Sequence, residues 1–113
     1  MARDDYFVIA YTILQYLYKC LKTGSTPDKS ILNHEYFDVD EGYFGYILEH
    51  LYADGYVEGV RLLSILGKER PAVRILTNFA ITPKGIEYLS DNSKLQKAKE
   101  VALTIAAFIP LIK

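Results

Sequence analysis

Four cations, Arg61, Lys68, Arg70 and Arg74, fall in one short stretch of this 113-residue chain, with Glu69 as the only acid among them. Cationic groups spaced along a hairpin can follow a phosphate backbone, each neutralised phosphate releasing counterions. The same charges would also keep an exposed hairpin soluble and blunt its edges. A second set lies on the helix expected over residues 41 to 53. With Phe44, Leu48 and Leu51 turned inward at 100° per residue, the outward positions are Gly42, Gly45, Tyr46, Glu49, His50 and Ala53. That face offers a Tyr, a His and an acid, but no Arg fork for guanine. Glu49 could accept from cytosine, yet a carboxylate beside phosphates repels them. The two glycines each weaken the helix by about 0.8–1 kcal/mol relative to Ala. They either admit the close approach of a partner or are tolerated because the core face holds the helix.

Catalysis finds no foothold in the residue types. His34 and His50 stand apart, with a single cysteine, Cys20, and no HxxxH or HExxH spacing, so no metal or multi-Cys site is expected. Asp38, Asp40 and Glu41 could suggest paired carboxylate chemistry, but a position at a helix start explains them without it. A nucleophile motif, a Gly-rich phosphate loop and a dinucleotide fingerprint are all missing. The expectation is a protein with no catalytic residues and no cofactor.

The elements that must carry these residues can be read from periodicity and from stop and start signals. Residues 4 to 22 form a first helix, with Tyr6, Ala10, Ile13, Leu14, Leu17 and Leu21 on one stripe and Thr12, Gln15, Lys19 and Lys22 opposite. Gly24 ends it, and residues 30 to 36 leave room for a two-turn second helix. Asp40 caps the third helix and Gly55 closes it. Residues 56 to 65 and 72 to 81 read as strands around a polar turn, less regular near Thr77 and Asn78. Thr82 and Pro83 start a fourth helix, which ends at residues 91 to 93, and Ser93 is expected to cap a last helix over residues 94 to 108.

Composition sets the frame. Half the residues are hydrophobic and ten are Tyr, enough for one modest core whose boundary rings keep their hydroxyls wet. The net charge of −1 is unevenly divided, −5 over residues 1 to 56 and +4 over the rest, which suggests one face for a polyanion or a partner. Arg3, Asp4 and Asp5 precede the first apolar helical stripe without a signal-peptide pattern, no apolar run spans a membrane, and a cytoplasmic location is expected.

The opening helix, FDVDEGYFGYILEHLYADGYVEGV, ITPKGIEYL and the Asn-Ser-Lys run after it resemble, across the whole chain, the YjcQ family of small bacterial and prophage-encoded winged-helix proteins. The resemblance implies a winged-helix fold and a DNA-binding or phage-related role. It carries over no catalytic residues. The third helix departs from a typical winged-helix regulator in having neither Lys nor Arg.

The fold expected is therefore α+β and helix-dominated: a winged helix-turn-helix with a three-helix core, a two- or three-stranded wing and additional C-terminal helices. Residues 1 to 93 would form the winged-helix domain. Residues 94 to 113 would pack on the first helix or build a homodimer seam with it, because Leu95, Ala98, Ala102, Ile105 and Phe108 make a stripe that Val101, Leu103 and Ala106 widen. The function expected is binding of double-stranded DNA through the wing cations, as a prophage-derived transcriptional regulator would. The alternative is a protein–protein interaction module without DNA binding, presenting Tyr46, Glu49 and His50.

Overall fold

The computed structural model describes residues 1 to 112. In chain order its elements are α1 (Tyr6–Thr23), α2 (His34–Phe37), α3 (Glu41–Ala53), β1 (Val57–Leu63), β2 (Ala72–Ile81), α4 (Pro83–Asp91), α5 (Ser93–Thr104), a 3₁₀ turn (Ala106–Phe108) and α6 (Ile109–Ile112). The fold is α+β, helix-dominated, with a small two-stranded antiparallel sheet, an arrangement compatible with a winged helix. None of the described helices is long and apolar enough to cross a membrane.

α1 is the axis of the core. Residues 8 to 14 are all buried, because α3, α4, α5, α6 and β2 all pack on this one helix. A helix covered from several sides has no single polar face. Thr12, expected outside, is fully buried and satisfies its hydroxyl by donating to the Val8 carbonyl at 2.8 Å. Leu21, expected in the stripe, is exposed instead, and Cys20 takes the buried place in the last turn. Gly24 ends the helix in the left-handed region at φ 70°.

The second helix is shorter than expected. Asp28 uses its carboxylate to hold the amide and hydroxyl of Ser30, so residues 28 to 32 turn rather than begin a helix. Asn33 then caps the single turn of α2, accepting from the Tyr36 amide at 2.8 Å. α3 follows the sequence signals closely. The Asp40 carboxylate accepts from the amides of Gly42 at 2.9 Å and Tyr43 at 3.3 Å, and Phe44, Ile47, Leu48 and Leu51 are buried.

β1 and β2 pair with Arg61 opposite Arg74 and Leu63 opposite Ala72. Between Glu58 and Val60 the partner jumps from Ala80 to Ile75, so residues 76 to 79 bulge out opposite Gly59. This is the irregularity expected near Thr77 and Asn78. Gly59 sits at φ 80°, and a Cβ there would lie 2.5 Å from the Asn78 and Phe79 backbone, so no other residue fits.

The ITPKGIEYL stretch fastens α4 to the turn between α3 and β1. Thr82 caps the helix by accepting from the Gly85 amide at 3.0 Å while its hydroxyl donates to the Gly55 carbonyl. Gly85 lies against the Tyr56 carbonyl so closely that a Cβ would be 2.1 Å from it. Tyr88 stacks on Tyr56 at 3.9 Å with 4° between the rings, and Leu89 is buried.

The last helix differs from the expectation at both ends. Asn92, not Ser93, caps it, its side-chain oxygen accepting from the amides of Lys94 and Leu95 at 3.0 and 3.1 Å. It stops at Thr104, where Ile105 becomes extended. The break turns the chain so that Phe108 packs on Phe37 at 4.9 Å and Leu111 is buried, contacts that a straight helix would carry past the core. Leu95, Ala98 and Ala102 face α1, whereas Leu103 and Ala106 stay exposed.

Candidate nucleic-acid interface

Antiparallel pairing puts directly opposed residues on the same face of a hairpin. Arg61 and Arg74 are such a pair, both exposed, and neither has an acidic partner among the described residues. Two like charges in that arrangement repel, by roughly 0.2–1 kcal/mol. An anion seated between them would remove the repulsion. Lys68 lies exposed in the turn beyond, where its amide donates to the Ile65 carbonyl at 3.1 Å and Leu66 is fully exposed at the tip.

Arg70 behaves differently. It folds back onto α3, donating to the Glu49 carboxylate at 3.0 Å and placing its guanidinium 4.7 Å from the centre of the Tyr46 ring. Tyr46 in turn packs on His50 at 4.2 Å and meets Tyr6 edge-on at 6.4 Å. The hairpin cations and the outward α3 face, separate in the sequence, are thus joined through one side chain. A half-exposed ion pair is worth about 0.2–1 kcal/mol and an exposed cation–π contact about 0.5–1 kcal/mol, so this latch is modest and can open. While it is closed, Glu49 and part of Tyr46 are covered.

Between α3 and the hairpin runs a groove of about 840 Å³. Lys29, from the loop between α1 and α2, reaches it alongside Lys68 and Arg74. Sequence reasoning missed Lys29, a lone cation in a polar loop with nothing local to mark it. Its loop is anchored, since the Tyr16 hydroxyl accepts from the Asp28 amide at 2.8 Å. Of the three acids lining the groove, Asp40 is engaged by its cap, Glu49 is paired with Arg70, and Glu41 stands exposed.

The remaining polar candidates serve the fold. Asp38 pairs with Arg3 at 3.2 Å, and the His34 ring sits 3.3 Å from the Val39 carbonyl and 3.9 Å from Glu35. Among the described residues no three of His, Cys, Asp and Glu gather as a metal set would require. Near the C-terminal end of α3, burial pushes the Tyr6 hydroxyl well above the usual tyrosine range, and the neighbouring Tyr88, Asp54, Tyr46 and Tyr56 add to it. Burial raises Tyr88 in the same way.

The family model described as YjcQ protein matches residues 11–106. The chain belongs to the YjcQ family. The matched span includes α3, the whole hairpin and the α4 clasp, so the groove and its cations lie inside the YjcQ region. Comparison with curated proteins found no match, and neither did comparison with solved structures.

Proposed function

We propose that this YjcQ protein is a winged-helix protein that binds double-stranded DNA by its phosphates, with the hairpin as the contact surface, in a regulatory rather than a catalytic role. The observation that carries this reading is the exposed Arg61–Arg74 pair, two arginines directly opposed across the strands and neither with an acidic partner among the described residues. Lys68 extends the cationic line toward the tip. The order of helices around the hairpin supports the winged-helix assignment. Base reading by α3 is not part of the proposal, because Tyr46, Glu49 and His50 offer no strong base-edge fork and Arg70 covers part of them. Binding of this type is weak and indifferent to sequence. The apolar stripe of α5 is already spent on α1 within the chain, so a homodimer seam built from these two helices is not part of the proposal.

The test of DNA binding is fluorescence anisotropy of a mixed-sequence duplex between about 50 and 200 mM salt. Three phosphate contacts give a slope of log affinity against log salt near about −2.7. Replacing Arg61 and Arg74 together with Gln is expected to flatten that slope by about 1.8. Absence of binding at the low-salt end across varied duplexes would reject the proposal.

A further inference from the structure

The sheet has two strands, and the edge of β2 away from β1 is bare. No backbone group of residues 72 to 80 bonds to anything beyond the pairing with β1 among the described residues. Two cavities run along that edge. The groove of about 840 Å³ is lined by residues 72 to 75 in unbroken succession, and a smaller one of about 250 Å³ by residues 75, 76, 77 and 79. Successive residues of a strand point to opposite faces, so a cavity lined by all of them borders the strand's edge and not one face. No residue of β1 lines either cavity, which identifies the edge as the outer one. Lys29 and Ile75 line both, so the two cavities adjoin as a slot along the β2 edge with the Lys29 loop on its other side.

We infer that this slot receives an extended peptide with alternating apolar and acidic side chains, which joins β2 as a third strand. Unpaired strand edges recruit strands through main-chain hydrogen bonds, and the flanking walls then select side chains. The apolar walls here are Leu32, Leu48, Val73 and Ile75, and the cations Lys29 and Arg74 have no acidic partner among the described residues. Lys29, Lys68, Arg70 and Arg74 outnumber Asp40, Glu41 and Glu49 around the larger cavity, and with Asp40 and Glu49 engaged only Glu41 opposes anionic side chains on the occupant. A second copy of the chain is a poor occupant. Its own β2 edge would bring Arg74 against a slot that already holds Lys29 and Arg74. The segment with the required charge and spacing therefore comes from an acidic partner protein.

The experiment uses the full chain and a fluorescein-labelled heptapeptide of alternating Val and Glu, with a Val–Lys repeat and a proline-interrupted Val–Glu repeat as controls. Anisotropy is expected to give saturable binding of the Val–Glu peptide. The Val–Lys repeat should bind at least about tenfold more weakly, the scale of one or two lost charge contacts, and the proline-interrupted peptide should fail. Amide exchange read by NMR should slow at alternate residues between 72 and 75, with β1 unchanged. Val73→Thr, a half-buried and uncharged position in the slot wall, should weaken the peptide and leave duplex DNA binding alone, whereas Arg61→Gln should do the reverse. Equal affinity for the Glu and Lys repeats overturns the inference. So does acidic-peptide binding that leaves the β2 amides unprotected, since that is surface charge pairing alone.

Discussion

Glu49 and Arg70, 21 residues apart in the chain, hold the outer face of α3 to the turn of the hairpin through a 3.0 Å ion pair. Arg70 therefore has two competing anions, the Glu49 carboxylate and any phosphate that approaches the hairpin. A side chain committed to one is withheld from the other.

Glu49→Gln removes the internal competitor and leaves the shape nearly unchanged. Duplex affinity at low salt is expected to rise about fivefold, corresponding to about 1 kcal/mol of released latch. The salt dependence should steepen by about 0.9 as Arg70 adds a phosphate contact. Unchanged affinity together with an unchanged slope would mean that Arg70 stays on Tyr46 and takes no part in binding.

Two glycines on helices should respond in opposite ways to the same substitution. Gly45→Ala places a Cβ at an ordinary 3.7 Å from Val73, so the gain in helix propensity, about 0.8–1 kcal/mol, should appear as a higher Tm. Gly85→Ala sets a Cβ against the Tyr56 carbonyl, where it cannot fit without moving α4 from the turn it clasps. A loss of about 1–3 kcal/mol is expected, the range for overpacking. Denaturant melts of the two variants beside the parent chain decide it, and equal midpoints for both would contradict the packing described.

Alkaline pH should loosen the protein through its buried tyrosines. Tyr6, Tyr43 and Tyr88 are all raised above the ordinary value, chiefly by burial, so the fold favours their neutral forms. That stabilisation is fully present below about pH 10, the unfolded value, and is lost as pH climbs through the folded values. Thermal melts should hold level to about pH 9 and then decline. Tyr6→Phe, which cannot ionise, should soften the decline; the same decline in the variant would remove Tyr6 from the explanation.

What the sequence disclosed was what short-range chemistry controls. Asp40 and Thr82 announce the starts of α3 and α4 because a cap needs only the amides two or three residues ahead. Gly24 and Gly55 announce ends because each takes a left-handed backbone where it stands. The break at Ile105 left no such mark: the apolar period runs on through it, and the reason to turn is Phe37, which lies far away in the chain. Thr12 looked outward because periodicity assumes one covered face, and α1 has several. At the candidate site the hairpin cations were visible as a cluster. Their division into a paired Arg70 and an unpaired Arg61 and Arg74, with Lys29 drawn in from another loop, depends on tertiary placement that no local pattern encodes.

The all-round burial of α1 also bears on how the chain is made. α1 leaves the ribosome ahead of every helix and strand that covers it, and α5 and α6, which close its far side, are the last of the described helices to be synthesised. Until α5 and α6 emerge, the nascent chain carries a long apolar cylinder without its full shell. Such exposed surface invites mispairing and calls on chaperones. Folding around α1 thus waits for α5 and α6, and a truncation that removes them strands its central helix rather than trimming an appendage.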